Sequence, residues 1–268
     1  MKNKSIFVSN LAWNKKDLPP IIDILKKNKV SGIDFAPLQI TTNWHNIEKK
    51  VLKHNTYLKK NKIKINAIQG IFFKKKFNLF KQNTDLNKII THLRIIFKLC
   101  KILNCKKIIV GSSEFRNNYN ISKKNADFIF IKFLKKILPL LKKNKIFFCI
   151  ETIPKQYNEK YLYNFDHTID LIRRVNSQWV RINYDTSIFH YKKLNFLKFK
   201  KNIHLIKNIQ ITENKFNFFL NPNKKNVKFC KNICKINVIK QISLEIISKI
   251  SNLNKLDLSI KNLNKLLT

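Results

Sequence analysis

Ile146-Phe147-Phe148-Cys149-Ile150-Glu151 is a run of five apolar residues closed by a carboxylate. Its flanks decide how it folds. Lys123 to Lys142 before it and Asp166 to Val175 after it both carry apolar residues at helical spacing. A short, continuously apolar run between two amphipathic stretches reads as a strand buried on both faces, in a parallel sheet wrapped by helices. Seven more runs of this kind follow the same rule: Ser5 to Ser9, Gly32 to Ala36, Ile63 to Ile68, Lys107 to Val110, Val180 to Tyr184, Ile206 to Ile211 and Ile242 to Ile246. Further helical stretches are Asp17 to Lys27, Asp85 to Leu103 and a closing one near Leu253 to Leu267. Parallel strands need long crossovers, and eight strand-helix units in 268 residues leave little room for insertions. The expectation is an α/β protein, one (β/α)8 barrel domain over residues 1–268. His190 to Lys201 and Asn214 to Asn226 are weakly patterned and read as irregular lids. A doubly wound open sheet is the rival architecture, but glycine occurs only at positions 32, 70 and 111, so no Gly-rich phosphate turn exists.

The formal charge is +40, which in general points to nucleic acid or an anionic surface. Here the basic residues are spread along the chain. Arginine stands only at 94, 116, 173, 174 and 181, and the other 50 basic residues are lysine, alongside abundant Asn, Ile and Phe. That profile fits codon drift in an AT-rich genome better than a phosphate-reading surface, which favours Arg forks. The five cysteines are odd in number and mostly inside apolar segments, so they read as buried thiols in a reducing cytoplasm. Cys230 and Cys234 share a helical spacing, but no second Cys or His pair accompanies them as metal ligands. The apolar run within Met1 to Asn10 is too short for a signal-peptide core, and no segment reaches the roughly 18 apolar residues of a membrane span. A cytoplasmic protein without membrane or nucleic-acid partner is the expectation, with a homo-oligomer left open.

In (β/α)8 barrels the active site forms where the strands end. Glu151, Asp185 and Glu245, three of only 15 acidic residues, close predicted strands. Carboxylates converging on one mouth repel one another unless they are protonated or bridged by a cation, so a divalent metal is the natural partner. The plainer reading is that each caps a helix or pairs with one of many lysines. Trp13, Trp44 and Phe73 stand at strand ends or in the loops that follow, where an aromatic face stacks on a sugar ring or packs in the core. Glu213 either lines the mouth or pairs with a lysine. Among the histidines, His190 and His45 are the nearest to the predicted site.

The residues resemble the xylose-isomerase-like TIM barrels, a group of sugar-phosphate isomerases and epimerases that includes ketose 3-epimerases and, more distantly, endonuclease IV. The resemblance covers nearly the whole chain. It is carried by Val8-Ser9-Asn10-Leu11-Ala12-Trp13, Gly32-Ile33-Asp34-Phe35-Ala36-Pro37 and Ala67-Ile68-Gln69-Gly70-Ile71-Phe72-Phe73. Val110-Gly111-Ser112 with Arg116, Cys149-Ile150-Glu151, Tyr184-Asp185-Thr186 and Ile242-Ser243-Leu244-Glu245 extend it. The resemblance implies a metal held by Glu151, Asp185, the position of Gln210, and Glu245. Gln210 stands where the family carries His. An all-oxygen set of this kind favours Mn²⁺ or Mg²⁺ over Zn²⁺. Ile153 replaces an Asn often found in the family, and Asn214 to Asn226 replaces a Gly-rich turn.

The implied activity is isomerisation or epimerisation of a small carbohydrate, a sugar or sugar phosphate. Glu151 and Glu245 would remove and return a proton beside a carbonyl. Trp13, Gln69, Phe73 and Arg116 are the implied substrate contacts, with Arg116 suited to an anionic group. Two other readings stand beside this one. Gln210 and the altered loops suit a catalytically silent barrel acting as a binding protein. The charge suits an endonuclease IV-like enzyme, which needs several histidine ligands that the mapped positions lack.

Overall fold

In the computed structural model, which describes residues 4–118, 121–191, 195–248 and 251–267, eight parallel strands pair in chain order and close on themselves. They are β1 (Ser5–Ser9), β2 (Gly32–Phe35), β3 (Lys64–Ile68), β4 (Lys107–Val110), β5 (Phe147–Glu151), β6 (Val180–Asp185), β7 (Ile206–Thr212) and β8 (Gln241–Glu245). Closure is made by β1 against β8, from Ser5 opposite Gln241 to Val8 opposite Leu244. The intervening helices are α1 (Leu18–Lys27), α2 (Ile47–Lys60), α3 (Leu86–Ile102), α4 (Lys123–Asn144), α5 (Phe165–Val175), α6 (Phe196–Lys201), α7 (Lys224–Cys234) and α8 (Leu253–Leu267). The expected (β/α)8 barrel is what forms. Part of the segment read as a lid is ordered: α6 lies within His190 to Lys201, whose residues 192–194 fall outside the described residues, and α7 begins at Lys224.

Alternation along each strand divides the interior into two parts. Ile108 and Val110, Phe148 and Ile150, Ile182 and Tyr184, and Ile242 and Leu244 are buried in a continuous apolar layer between strands and helices. Each fully buried side chain of this size contributes about 1.5–3 kcal/mol. The residues between them point into the barrel and are largely polar: Asp34, Asn66, Lys107, Asn183, Asn208, Gln210 and Ser243 are buried and hydrogen-bonded across the lumen. Burial without partners would cost such groups heavily, so these bonds keep a polar lumen compatible with folding.

Local chemistry sets the helix ends. Asp85, Ser122, Asn164 and Asn223 cap α3, α4, α5 and α7 by accepting backbone N–H bonds with their side chains. With so few glycines, the left-handed positions that follow helices are taken by Lys29, Lys62, Asn104, Lys145 and Asn176, with φ between 49° and 61°. Cys100, Cys105, Cys149 and Cys230 are buried free thiols, and Cys234 is half-buried with its Sγ directed at the Leu266 carbonyl. No described helix is long and apolar enough to cross a membrane.

Candidate active site and metal centre

Glu151, Asp185 and Glu245 are each the last residue of their strand. All three side chains therefore enter the same end of the barrel, and one oxygen from each lies within 4.8 Å of the others. Glu151 and Glu245 form part of the wall of a cavity of about 460 Å³, which Gln69, Phe73, Tyr157 and Phe216 also line. Asp185 sits deeper, 1% exposed. Its Oδ1 accepts the Ser187 backbone N–H at 2.6 Å and its Oδ2 the Thr212 hydroxyl at 2.8 Å. Gly111 at the end of β4 makes room for Glu151: a Cβ there would lie 2.3 Å from Glu151 Oε2.

The electrostatics follow from this crowding. Burial, reinforced by the neighbouring Asp185, pushes Glu151 up to about 8. Burial, then Asp185 and Glu151, raise Glu245 well above the usual carboxylate range. Among the described residues no cationic side chain contacts the three. The donor set suits a hard divalent cation, which takes carboxylate oxygens.

Gln210, the fourth expected ligand, meets other side-chain amides. It lies two residues before the end of β7 and is fully buried. Its Oε1 accepts from Asn183 Nδ2 at 2.5 Å, and its Nε2 donates to Gln69 Oε1 at 3.0 Å and approaches Asp34 Oδ2 at 3.4 Å. The oxygen needed for coordination is thus engaged by an amide. Thr212, at the end of β7, reaches the acidic cluster instead.

Arg116, expected at an anionic substrate group, stands in a buried ion pair. It is completely buried, with its guanidinium on Glu159 at 2.8 Å and its Nη1 on the Val110 carbonyl. Glu159 in turn accepts the backbone N–H groups of Tyr161 and Leu162, so the pair ties the loop after β4 to the loop after β5. An anionic substrate group cannot reach it without breaking a buried ion pair. Trp13 is turned into the core, 4% exposed, in a crevice with Leu18, Ile33, Ile40 and His54. Gln69 and Phe73 do line the cavity, Phe73 with 63% of its surface exposed.

Glu213 faces away, bonded to Asn223 and Asn226 at the start of α7. His190 lies on the Thr212 carbonyl, and Trp44 donates to the Phe73 carbonyl. Several contributors escaped the sequence reading, among them Thr212 beside Asp185, and Ser113, Tyr157, Phe216 and Ile247 in the cavity wall. Thr212 and Ile247 follow Gln210 and Glu245 by two residues, so strand alternation could have found them. Tyr157 and Phe216 sit in loops, where no periodic signal exists.

The profile of the xylose isomerase-like TIM barrel family matches residues 22–229. No curated protein matches the chain by sequence. Solved structures share its fold. An AP endonuclease of family 2 from Brucella melitensis superposes with a TM-score of 0.75 at 11% identity, over 94% of this chain and 96% of its own. A 3-keto-D-glucoside 4-epimerase from E. coli gives 0.75 at 10% identity, over 98% and 99%. The protein IolI, solved with a bound zinc atom, gives 0.69 at 15% identity, over 98% and 95%. At such identities the likeness speaks for fold alone. With a family profile spanning most of the chain and a closed eight-stranded barrel beneath it, this chain belongs to the xylose isomerase-like TIM barrel family.

Proposed function

We propose that the chain is a metal-dependent isomerase or epimerase of a sugar carrying a carbonyl, and that Glu151 and Glu245 move the proton. The observation that carries this is the convergence of three strand-terminal carboxylates within 4.8 Å at one cavity. Glu151, Asp185 and Glu245 would hold a Mn²⁺ or Mg²⁺ ion. When bound, that ion would polarise a substrate carbonyl and its neighbouring hydroxyl. One glutamate removes the proton from the carbon beside the carbonyl and the other returns it to the opposite face.

The cavity also favours an uncharged substrate over its phosphate ester. Gln69, Ser112 and Ser113 offer hydrogen bonds to hydroxyl groups, and Phe73, Tyr157 and Phe216 offer flat apolar faces. The one arginine expected to hold an anion is committed to Glu159. The 3-keto-glucoside substrate class named for one structural relative is uncharged, which agrees with this choice. The experiment is to incubate the Mn²⁺-loaded protein with free ketoses, keto-glycosides and their phosphates in D₂O. Deuterium should enter the carbon beside the carbonyl of an uncharged sugar, and Glu245→Gln should abolish it while the barrel stays folded by circular dichroism. Exchange unaffected by Glu245→Gln would refute the assignment.

A further inference from the structure

The cavity at the acidic centre changes character from its floor to its rim. At the floor Glu151, Glu245 and Gln69 are buried, each at or next to the end of its strand. At the rim stand Phe73, Tyr157, Phe216 and Ile247, which come two to six residues after the strands end. Phe73 is 63% exposed and Ile247 48%, so large apolar faces meet solvent there. Exposed apolar surface around a cavity marks a place where something apolar binds.

The lining also departs from the rest of the chain. Lys and Arg make up 55 of 268 residues, yet none of the described residues around this cavity is either one. Another cavity, between the loops after β5 and β6, has Lys155 and Lys198 in its wall. Lysine thus fills solvated positions elsewhere but not the described wall of this cavity. An apolar occupant accounts for that, because an ammonium group pressed against it would lose its hydration.

The rim aromatics are held in place at a cost to the backbone. Lys215 and Phe216 both adopt left-handed backbone, at φ 56° and 57°, a conformation unfavourable for bulky L-residues. The Lys215 N–H donates to the Tyr157 hydroxyl at 3.0 Å, and the Ile247 N–H to the Phe216 carbonyl at 3.1 Å. The rings of Phe216 and Tyr157 lie 4.9 Å apart, centroid to centroid. On the loop after β3, the Phe73 carbonyl accepts the Trp44 indole N–H at 2.9 Å, and the Phe73 N–H donates to the Gly70 carbonyl at 3.1 Å. Size adds a further constraint. The cavity, about 460 Å³, falls in the range of pockets that take drug-sized molecules, about 300–1,000 Å³. A single hexose on the polar floor leaves the apolar rim uncovered.

We propose that the substrate is a glycoside whose sugar ring lies at the carboxylates and whose aglycone is a planar apolar group held by Phe73, Tyr157, Phe216 and Ile247. Aromatic side chains favour such a group because flat rings stack or meet edge to face. Phe216, fixed by the strained turn, is the specificity-determining residue. This inference rests on the reading that a sugar reacts at Glu151 and Glu245, and it selects glycosides with an apolar aglycone over free ketoses.

The test compares matched methyl and phenyl hexopyranosides, in both anomers, by titration calorimetry with the Mn²⁺-loaded full chain. Wild type, Phe216→Ala, Phe216→Leu and Phe128→Ala are measured side by side. In at least one pair the phenyl glycoside should bind the wild type about tenfold to a hundredfold more tightly than the methyl one, the gain from burying one ring. Phe216→Ala should lose most of that gain and keep the affinity for the methyl glycoside. Phe216→Leu keeps apolar bulk without the flat face; it should lose most of the gain too, and it carries the test if Phe216→Ala unfolds. Phe128→Ala removes an exposed ring on α4 that does not line the cavity, and should bind as the wild type does. No phenyl gain in any pair, or a gain that survives both Phe216 substitutions, would overturn the proposal. Deuterium exchange into free ketoses without any phenyl gain would overturn it and leave the isomerase reading standing. Absence of exchange into every sugar and keto-glycoside would overturn the isomerase reading, and this inference with it.

Discussion

Glu151→Gln exchanges a buried carboxyl for a neutral amide of the same shape, and its effect on stability should change with pH in a way that only a crowded acidic site produces. In the metal-free folded chain burial and Asp185 push Glu151 up to about 8, whereas the unfolded chain titrates near the ordinary glutamate value. Between about 4.5 and 8 the folded state holds a proton that the unfolded state has released, so folding stability falls as pH rises through this window. Below about 4.5 the penalty is absent, and by pH 8 most of it is present. The gap corresponds to at most about 5 kcal/mol, or about 9 °C in Tm for a chain of this length. The amide of the variant cannot ionise. Unfolding followed by circular dichroism in EDTA should therefore give similar Tm values for the two proteins at pH 5 and a more stable variant at pH 8. Mn²⁺ at a hundredfold excess over its Kd should stabilise only the wild type, by about 2.7 kcal/mol. Parallel Tm curves from pH 5 to pH 8 would refute the electrostatic reasoning.

Arg116→Ala leaves Glu159 charged and buried without its partner, so it should cost about 3–5 kcal/mol in chemical denaturation. Gly111→Ala drives a methyl group into the Glu151 carboxylate; calorimetric titration should show weaker Mn²⁺ binding with the barrel still folded. Lys145→Gly relieves a left-handed backbone at φ 53° after α4 and should stabilise the protein by about 1 kcal/mol, read as a rise in Tm of about 2 °C.

The fold was legible because the strands are short, rich in β-branched residues and largely buried, so each stands out as an apolar run between amphipathic stretches. All eight predicted runs coincide with observed strands to within a residue or so at each end. What escaped notice were elements with little apolar signal. α2 reads Ile-Glu-Lys-Lys-Val-Leu-Lys-His-Asn-Thr-Tyr-Leu-Lys-Lys, and it buries Ile47, Val51, Asn55 and Leu58 on a lysine-rich helix. The strand-terminal carboxylates were legible for the same reason as the strands: they interrupt an apolar run. Partners distant in sequence were not. Nothing local to Arg116 announces Glu159, 43 residues onward. Nothing local to Gln210 announces that its amide meets Asn183, 27 residues earlier on the neighbouring strand.

The central claim is that three strand-end carboxylates form one cation site, and the direct measurement is Mn²⁺ stoichiometry by titration calorimetry for the wild type and for Glu151→Gln, Asp185→Asn and Glu245→Gln. The account predicts one ion per wild-type chain and loss of binding in all three variants, each still folded. Absence of binding in the wild type, or binding that survives all three substitutions, would contradict it.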